Sequence, residues 1–280
     1  MLFPVQSETV AKVRYGEEEY STKDVFVSIA HDPVLISEFA ILCAEIYCRY
    51  ANEALPDDMP QKSANWNQEV IDRPALPKNI WHVDGLGMEV WTTSYQGKTV
   101  AVLVFRGTRG FTAWQDWFAN CRWLTKLIPF VWDQYDETHY IAQHVVNALK
   151  QRYPNNLDIY AAGHSLGGGL AQHAGYSVQE IKTIYAFNTS PITGFYSIPK
   201  NERENSVKDM RILRIYEHGE ILAYIRLVLR FVYPLSFKNP SIIEVRFNFD
   251  KWDDVVKQHN MVKFAKALKD IALKALDNQA

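Results

Sequence analysis

Between Pro33 and Glu53, apolar side chains recur three and four residues apart, at Ile36, Phe39, Ala40, Cys43, Ile46 and Tyr47. That is the period of a helix with one buried face, and it predicts an outer-layer helix resting on a sheet. Residues 54–78 break the pattern with Pro and Asn and read as a loop. Two strand-like runs follow, GMEVWTTSY from Gly87 to Tyr95 and KTVAVLVFRG from Lys98. Gln96-Gly97 between them is a turn signal, so the pair predicts a β-hairpin.

From there the pattern alternates. Tyr140 to Tyr153 has helical spacing, Leu157 to Ala162 (LDIYAA) is a short buried strand, and Leu166 to Val178 is a second helix. Ile181 to Phe187, Arg211 to Tyr216 and Ser241 to Phe249 read as further strands, and Asn260 to Leu276 as a closing amphipathic helix. Strand and helix in alternation predict an α/β fold, a mostly parallel sheet with helices on both faces. No repeat, low-complexity segment or long linker divides the chain, so residues 1–280 read as one domain.

The longest apolar run, ILAYIRLVLRFVYPL from Ile221 to Leu235, carries Arg226 and Arg230. It is about five residues short of the roughly 20 that a membrane span needs. The two arginines lie four apart and share one face. The run predicts a core helix with one solvated edge, the alternative being a surface that rests on lipid.

Composition narrows the function classes. Lys and Arg total 30 against 32 Asp and Glu, a formal charge of −2, which excludes a nucleic-acid surface built on basic excess. With 48% hydrophobic residues the chain has ample material for a core. Cys43, Cys48 and Cys121 form no C-x-x-C pair and fit reduced, buried thiols. The N-terminus shows no basic segment ahead of an apolar stretch, so no cleavable secretory signal is expected. The default compartment is the cytoplasm, with signal-independent export also compatible.

The chemistry concentrates in YAAGHSLGGGLA, where Gly163-x-Ser165-x-Gly167 stands between a predicted strand and a predicted helix. A serine on so sharp a turn needs glycine two residues to either side, because the chains pass too closely for side chains. The turn also sets Ser165 at a helix N-terminus, whose free N–H groups favour a developing oxyanion. This makes Ser165 the candidate nucleophile. A hydroxyl is weak at its own pKa and needs a histidine base oriented by a carboxylate, in the chain order Ser, acid, His. His164 and His173 belong to the elbow and its helix and read as structural. His259, in KQHNMVKFAKAL, sits where a loop can reach over Ser165 and is the expected base; its other reading is a helix cap. For the acid, RIYEHGEIL offers Glu217 and Glu220 around His218. Glu220 follows the flexible Gly219 and is preferred, with Glu217 the alternative. The strand in VLVFRGT ends at Gly107-Thr108, so the backbone N–H groups of Thr108 and Leu166 are the expected oxyanion hole.

VLVFRGT, IYAAGHSLGGGLA about 55 residues later, a strand ending in a carboxylate and a late histidine together resemble the class 3 lipases of the α/β-hydrolase superfamily, over roughly residues 87–270. In that family the acid is usually Asp in a turn after a strand; the matching turn here is HGEIL, which puts Glu220 in its place. The resemblance implies acyl-ester hydrolysis, including triacylglycerols and phospholipids, without a metal or other cofactor. It also implies a lid after the oxyanion strand, at about residues 111–135, where Trp114, Trp117, Trp123 and Trp132 cluster. Such a cluster suits an acyl-chain wall or peripheral membrane contact, or it caps the sheet as core. The expected function is a serine esterase acting on long-chain lipid esters, a lipase or phospholipase. Acyl transfer or thioester hydrolysis would use the same triad, and the competitor outside enzymes is a catalytically silent lipid- or partner-binding module.

Overall fold

The computed structural model describes residues 10–15, 18–20, 32–76, 86–107, 128–217, 239–249 and 260–277. Among them the strands are β1 (Val10–Tyr15), β2 (Glu18–Tyr20), β3 (Asn67–Glu69), β4 (Met88–Tyr95), β5 (Lys98–Phe105), β6 (Leu157–His164), β7 (Ile181–Phe187), β8 (Arg211–Glu217) and β9 (Ser241–Phe247). The helices are α1 (Pro33–Ala51), α2 (Ile128–Arg152), α3 (Leu166–Ser177), α4 (Lys200–Ser206) and α5 (Met261–Asp277).

The strands form one sheet in the order β2-β1-β9-β8-β7-β6-β5-β4-β3. Its centre, β5 through β9, is parallel. Both flanks are antiparallel, β3 and β4 on one side and β1 and β2 on the other. All four parallel crossovers leave the carboxyl ends of the central strands on one edge, where an α/β sheet places its chemistry.

Side chains of the central strands alternate between two cores. In β5, Val100, Val102 and Val104 join Phe39, Phe187 and Phe264 under α1 and α5. Ala101, Leu103 and Phe105 join Val145, Leu149, Leu170 and Ala174 under α2 and α3. Helices thus cover both faces, and strands buried on both sides read as continuous apolar runs. The hairpin turns at Gln96 (φ 49°) and Gly97 (φ 77°), and two positive φ values in a two-residue loop match the right-handed strand twist.

Helix α1 is bounded by local chemistry. Asp32 accepts hydrogen bonds from the N–H groups of Val34 (3.0 Å) and Leu35 (3.1 Å), Pro33 opens the first turn, and Asn52 closes the helix in the left-handed region. Its buried carboxylates are paired: Glu45 meets Arg49 and Lys62, and Glu38 accepts from the Ser63 N–H and the Trp66 indole, both at 2.8 Å. These bonds strap the polar 54–76 segment onto the helix.

Several elements differ from the sequence pattern. Helix α2 begins at Ile128, twelve residues before Tyr140. Its buried positions 134, 135, 137, 138, 141, 142, 145, 146 and 149 keep helical spacing, but Gln134, Glu137 and Thr138 occupy three of them and hide the apolar stripe. The last part of the expected lid, residues 128–135, is therefore the opening of α2, and Tyr135 is fully buried. The short strand β2, the polar strand β3 within the expected loop and the wholly polar α4 carry no apolar period to find, whereas β1 alternates Ala11, Val13 and Tyr15 with Lys12 and Arg14, a strand period that sequence reasoning missed. Residues 111–127, the run Ile221 to Leu235 and Cys121 lie outside the described residues. Cys43 is buried and Cys48 half-buried, both as free thiols. Among the described residues no helix is long and apolar enough to cross a membrane.

Candidate active site

Strand β6 runs directly into α3 through Ser165, whose backbone sits at φ 60°, ψ −125°. A non-glycine residue there is strained by about 1–3 kcal/mol and persists only where its surroundings hold it. The holding bonds are explicit. The Ser165 N–H donates to the Phe187 carbonyl (3.0 Å), and the Ser165 carbonyl accepts from the N–H groups of Gly168 (3.1 Å) and Ser190 (2.9 Å). A methyl group on Gly163 would overlap the Gly167 carbonyl, and one on Gly167 would overlap the Phe105 carbonyl. The glycine spacing is thus required by backbone packing at the turn.

Ser165 is 2% exposed, and its Oγ has no hydrogen-bond partner among the described residues. A buried hydroxyl left unsatisfied costs roughly 1–3 kcal/mol. Strain and an unmet hydroxyl at one residue mark a site shaped for reaction rather than for stability.

The end of β5 comes up beside the elbow. A Cβ on Gly107 would stand 3.3 Å from Ser165 Cβ and 2.9 Å from the His164 carbonyl oxygen. Leu166 is the first residue of α3, and helix geometry leaves first-turn N–H groups without intrahelical acceptors. Thr108, Glu220, His218 and His259 lie outside the described residues.

Glu217 is the last residue of β8 and is buried. Its N–H donates to Asn188 Oδ1 and its Oε1 accepts the Phe249 N–H, both at 2.8 Å, so it ties the ends of β7, β8 and β9 together. Helix α5 is capped by Asn260, whose Oδ1 accepts from Val262 (2.9 Å) and Lys263 (3.3 Å). The capping role open to His259 from sequence thus belongs to its neighbour.

The two elbow histidines are held as structural groups. His164 Nδ1 lies 3.0 Å from the Tyr47 hydroxyl. His173 Nδ1 lies 3.2 Å from the Thr193 carbonyl, and burial pushes its pKa down to about 3. Because that value lies below the unfolded 6.5, the unfolded chain binds the extra proton between those limits. The stability from neutral His173 is full above about pH 6.5 and is lost as pH falls toward 3, by roughly 4–5 kcal/mol at its limit. His173→Gln is expected to flatten the decline of the urea midpoint between pH 7 and pH 4; an unchanged slope would remove His173 from the acid response.

Sequence reasoning missed the polar supports of the elbow. Gln172, buried in α3, donates to the Gly168 carbonyl (3.0 Å) and Thr189 Oγ1 (3.2 Å) and accepts from Arg214 Nε (3.0 Å). Tyr47 was read only as part of an apolar helix face. The available signal was polar residues within otherwise buried elements. Among the described residues no cluster of His, Cys, Asp and Glu could hold a metal ion.

Solved structures with similar backbones include Lip2 lipase from Yarrowia lipolytica, at 14% identity over 85% of this chain and 88% of that one, TM-score 0.46. A nonglycosylated Yarrowia lipolytica LIP2 lipase matches at 16% identity over 67% and 72%, TM-score 0.42. Lipase II from Rhizopus niveus matches at 15% identity over 76% and 77%, TM-score 0.44. A comparison with curated protein sequences finds no match. Residues 38–227 match the phospholipase-like family described as the Tle-like phospholipase domain, and this span contains both VLVFRGT and IYAAGHSLGGGLA. The chain belongs to that family and is a lipid-ester hydrolase of α/β-hydrolase fold.

Proposed function

We propose that the chain is a serine hydrolase that cleaves long-chain acyl esters of phospholipids through an acyl-enzyme. The observation that carries this reading is the strained, buried Ser165 at the strand-to-helix elbow, its Oγ without a hydrogen-bond partner among the described residues and the end of β5 against it. His259 takes the Oγ proton as Ser165 attacks the ester carbonyl, and Glu220 holds the imidazole in the required tautomer. The N–H groups of Thr108 and Leu166 receive the oxyanion. The carbonyl–oxygen bond breaks, the departing lysolipid alkoxide collects the proton from His259, and the acyl group stays on Ser165. Water, deprotonated by the same histidine, then releases the fatty acid.

Glu220, which follows the flexible Gly219, is preferred to Glu217, whose Oε1 accepts the Phe249 N–H at the end of β8. Glu220→Gln is expected to lower kcat about 10⁴-fold, as loss of a triad acid does. Glu217→Gln is expected to act mainly on thermal stability, and a larger kcat loss in Glu217→Gln would reassign the acid. The tryptophan-bearing segment after β5 serves as acyl-chain wall or lid.

Product analysis tests the bond cleaved. Phosphatidylcholine vesicles incubated with the protein are expected to yield fatty acid and lysolipid by mass spectrometry, and p-nitrophenyl esters to react faster as the acyl chain lengthens. Phosphatidic acid or diacylglycerol as the product would place the attack at phosphorus and contradict the proposal. Release confined to short esters would contradict the long-chain assignment.

A further inference from the structure

Beyond the end of the β5–β6 ladder, no backbone hydrogen bond among the described residues joins the elbow to the chain that carries its oxyanion donor, which is tied instead to the β4 side by the Arg106 N–H on the Gly87 carbonyl (2.8 Å). The two strands run in parallel register to Phe105 opposite Gly163. Past that pair one chain turns into the elbow and the other into the segment that begins Arg106-Gly107-Thr108. One side chain from outside the sheet spans the two. The Tyr47 hydroxyl, from the C-terminal part of α1, accepts the Gly107 N–H at 3.1 Å and lies 3.0 Å from His164 Nδ1 and 3.3 Å from the His164 carbonyl oxygen. Its ring meets the His164 ring edge-on, with centroids 5.8 Å apart.

The inventory closes in this arrangement. A phenol has one proton to donate and lone pairs to accept with. It accepts from Gly107, and its proton goes to His164 Nδ1 or, when that nitrogen carries hydrogen, to the His164 carbonyl. Burial raises the Tyr47 pKa, so the hydroxyl keeps its proton. Gly107 is itself packed against Ser165, and the residue after it is Thr108. A bond at Gly107 N therefore anchors the chain one residue before Thr108.

Resting on the assignment of Ser165 and Thr108 above, we infer that Tyr47 is a positioning residue, a strut from α1 that holds the oxyanion-donor chain at a set distance from the nucleophile. It touches neither substrate nor reacting atoms, and it acts through Gly107 and His164. Removing the strut leaves the ground-state acyl pocket intact and displaces a donor used in the transition state. Displacements of about 1 Å in such groups cost on the order of 100-fold.

The test is Tyr47→Phe in the full chain, assayed on a p-nitrophenyl ester and on phosphatidylcholine vesicles. The expected result is a fall in kcat of about 10- to 100-fold, with KM changed less than about twofold, as for an interaction made only in the transition state. Affinity for a long-chain trifluoromethyl ketone, whose adduct with serine carries an oxyanion, is expected to fall by the same factor. Tyr50→Phe is the control for stability. It removes the hydroxyl that accepts the Met88 N–H and donates to the Met88 carbonyl, on the same helix, and keeps the ring that lies 4.5 Å from the Arg106 guanidinium. It is expected to lower Tm while kcat holds. If Tyr47→Phe does not fold, His164→Asn removes the imidazole anchor of the phenol, and a several-fold lower kcat with unchanged KM is expected. Wild-type kcat in the folded variant, or equal losses in Tyr47→Phe and Tyr50→Phe, would overturn the proposal. Retained hydrolysis in Ser165→Ala would instead overturn the reading it rests on, so the two failures are distinguishable.

Discussion

Ser165→Ala is expected to lower lipid-ester hydrolysis by roughly a million-fold, the size of loss seen when a serine nucleophile is removed from a complete triad. The protein is expected to remain folded, with a Tm equal to or above that of the parent chain. Both halves follow from the elbow. Alanine carries the same positive φ as serine, so the strain is unchanged. The Oγ that it removes is buried and has no hydrogen-bond partner among the described residues, so its deletion breaks none of the bonds that hold the elbow there. Activity lost with stability kept separates a reaction group from a structural one. Hydrolysis within tenfold of the parent would remove Ser165 from the chemistry.

The second large effect is expected at His259. His259→Gln keeps a polar side chain of similar reach but cannot cycle a proton, and it is expected to lower kcat by a factor comparable to Ser165→Ala. The double variant Ser165→Ala/His259→Gln should be no less active than either single one, because nucleophile and base act as one unit. Multiplying losses would mean that the two residues serve separate steps. Since Asn260 caps α5, His259→Gln should leave the helix start intact, and circular dichroism checks that directly.

The parts of the fold governed by local pattern were legible in the sequence. The hairpin follows from two strand runs around Gln96-Gly97, and both turn residues adopt the positive φ that such a loop demands. The elbow follows from glycines two residues to either side of Ser165, and the backbone carbonyls they meet show why no other residue fits. The central strands follow from apolar runs buried on two faces. What stayed hidden depends on pairing between distant segments. Glu137 and Thr138 lie on the buried face of α2, so the start of the helix carries a polar pattern. Strands β2 and β3 form the two sheet edges by backbone bonding, which leaves little imprint on side-chain hydrophobicity. Tyr47 shows the same limit at the site. Its spacing in α1 marks a buried face, while its bonds to Gly107 and His164, 60 and 117 residues away, arise only from the fold.

The nucleophile itself can be captured. A long-chain fluorophosphonate, which forms a stable bond with an activated serine, is incubated with the full chain in the presence of phosphatidylcholine vesicles, and the adduct is counted by intact mass and mapped by peptide sequencing. One adduct per chain, on the peptide containing Ser165, with hydrolysis lost in parallel, is the expected result. An adduct on another residue, or persistent hydrolysis in a chain fully labelled at Ser165, would contradict the account.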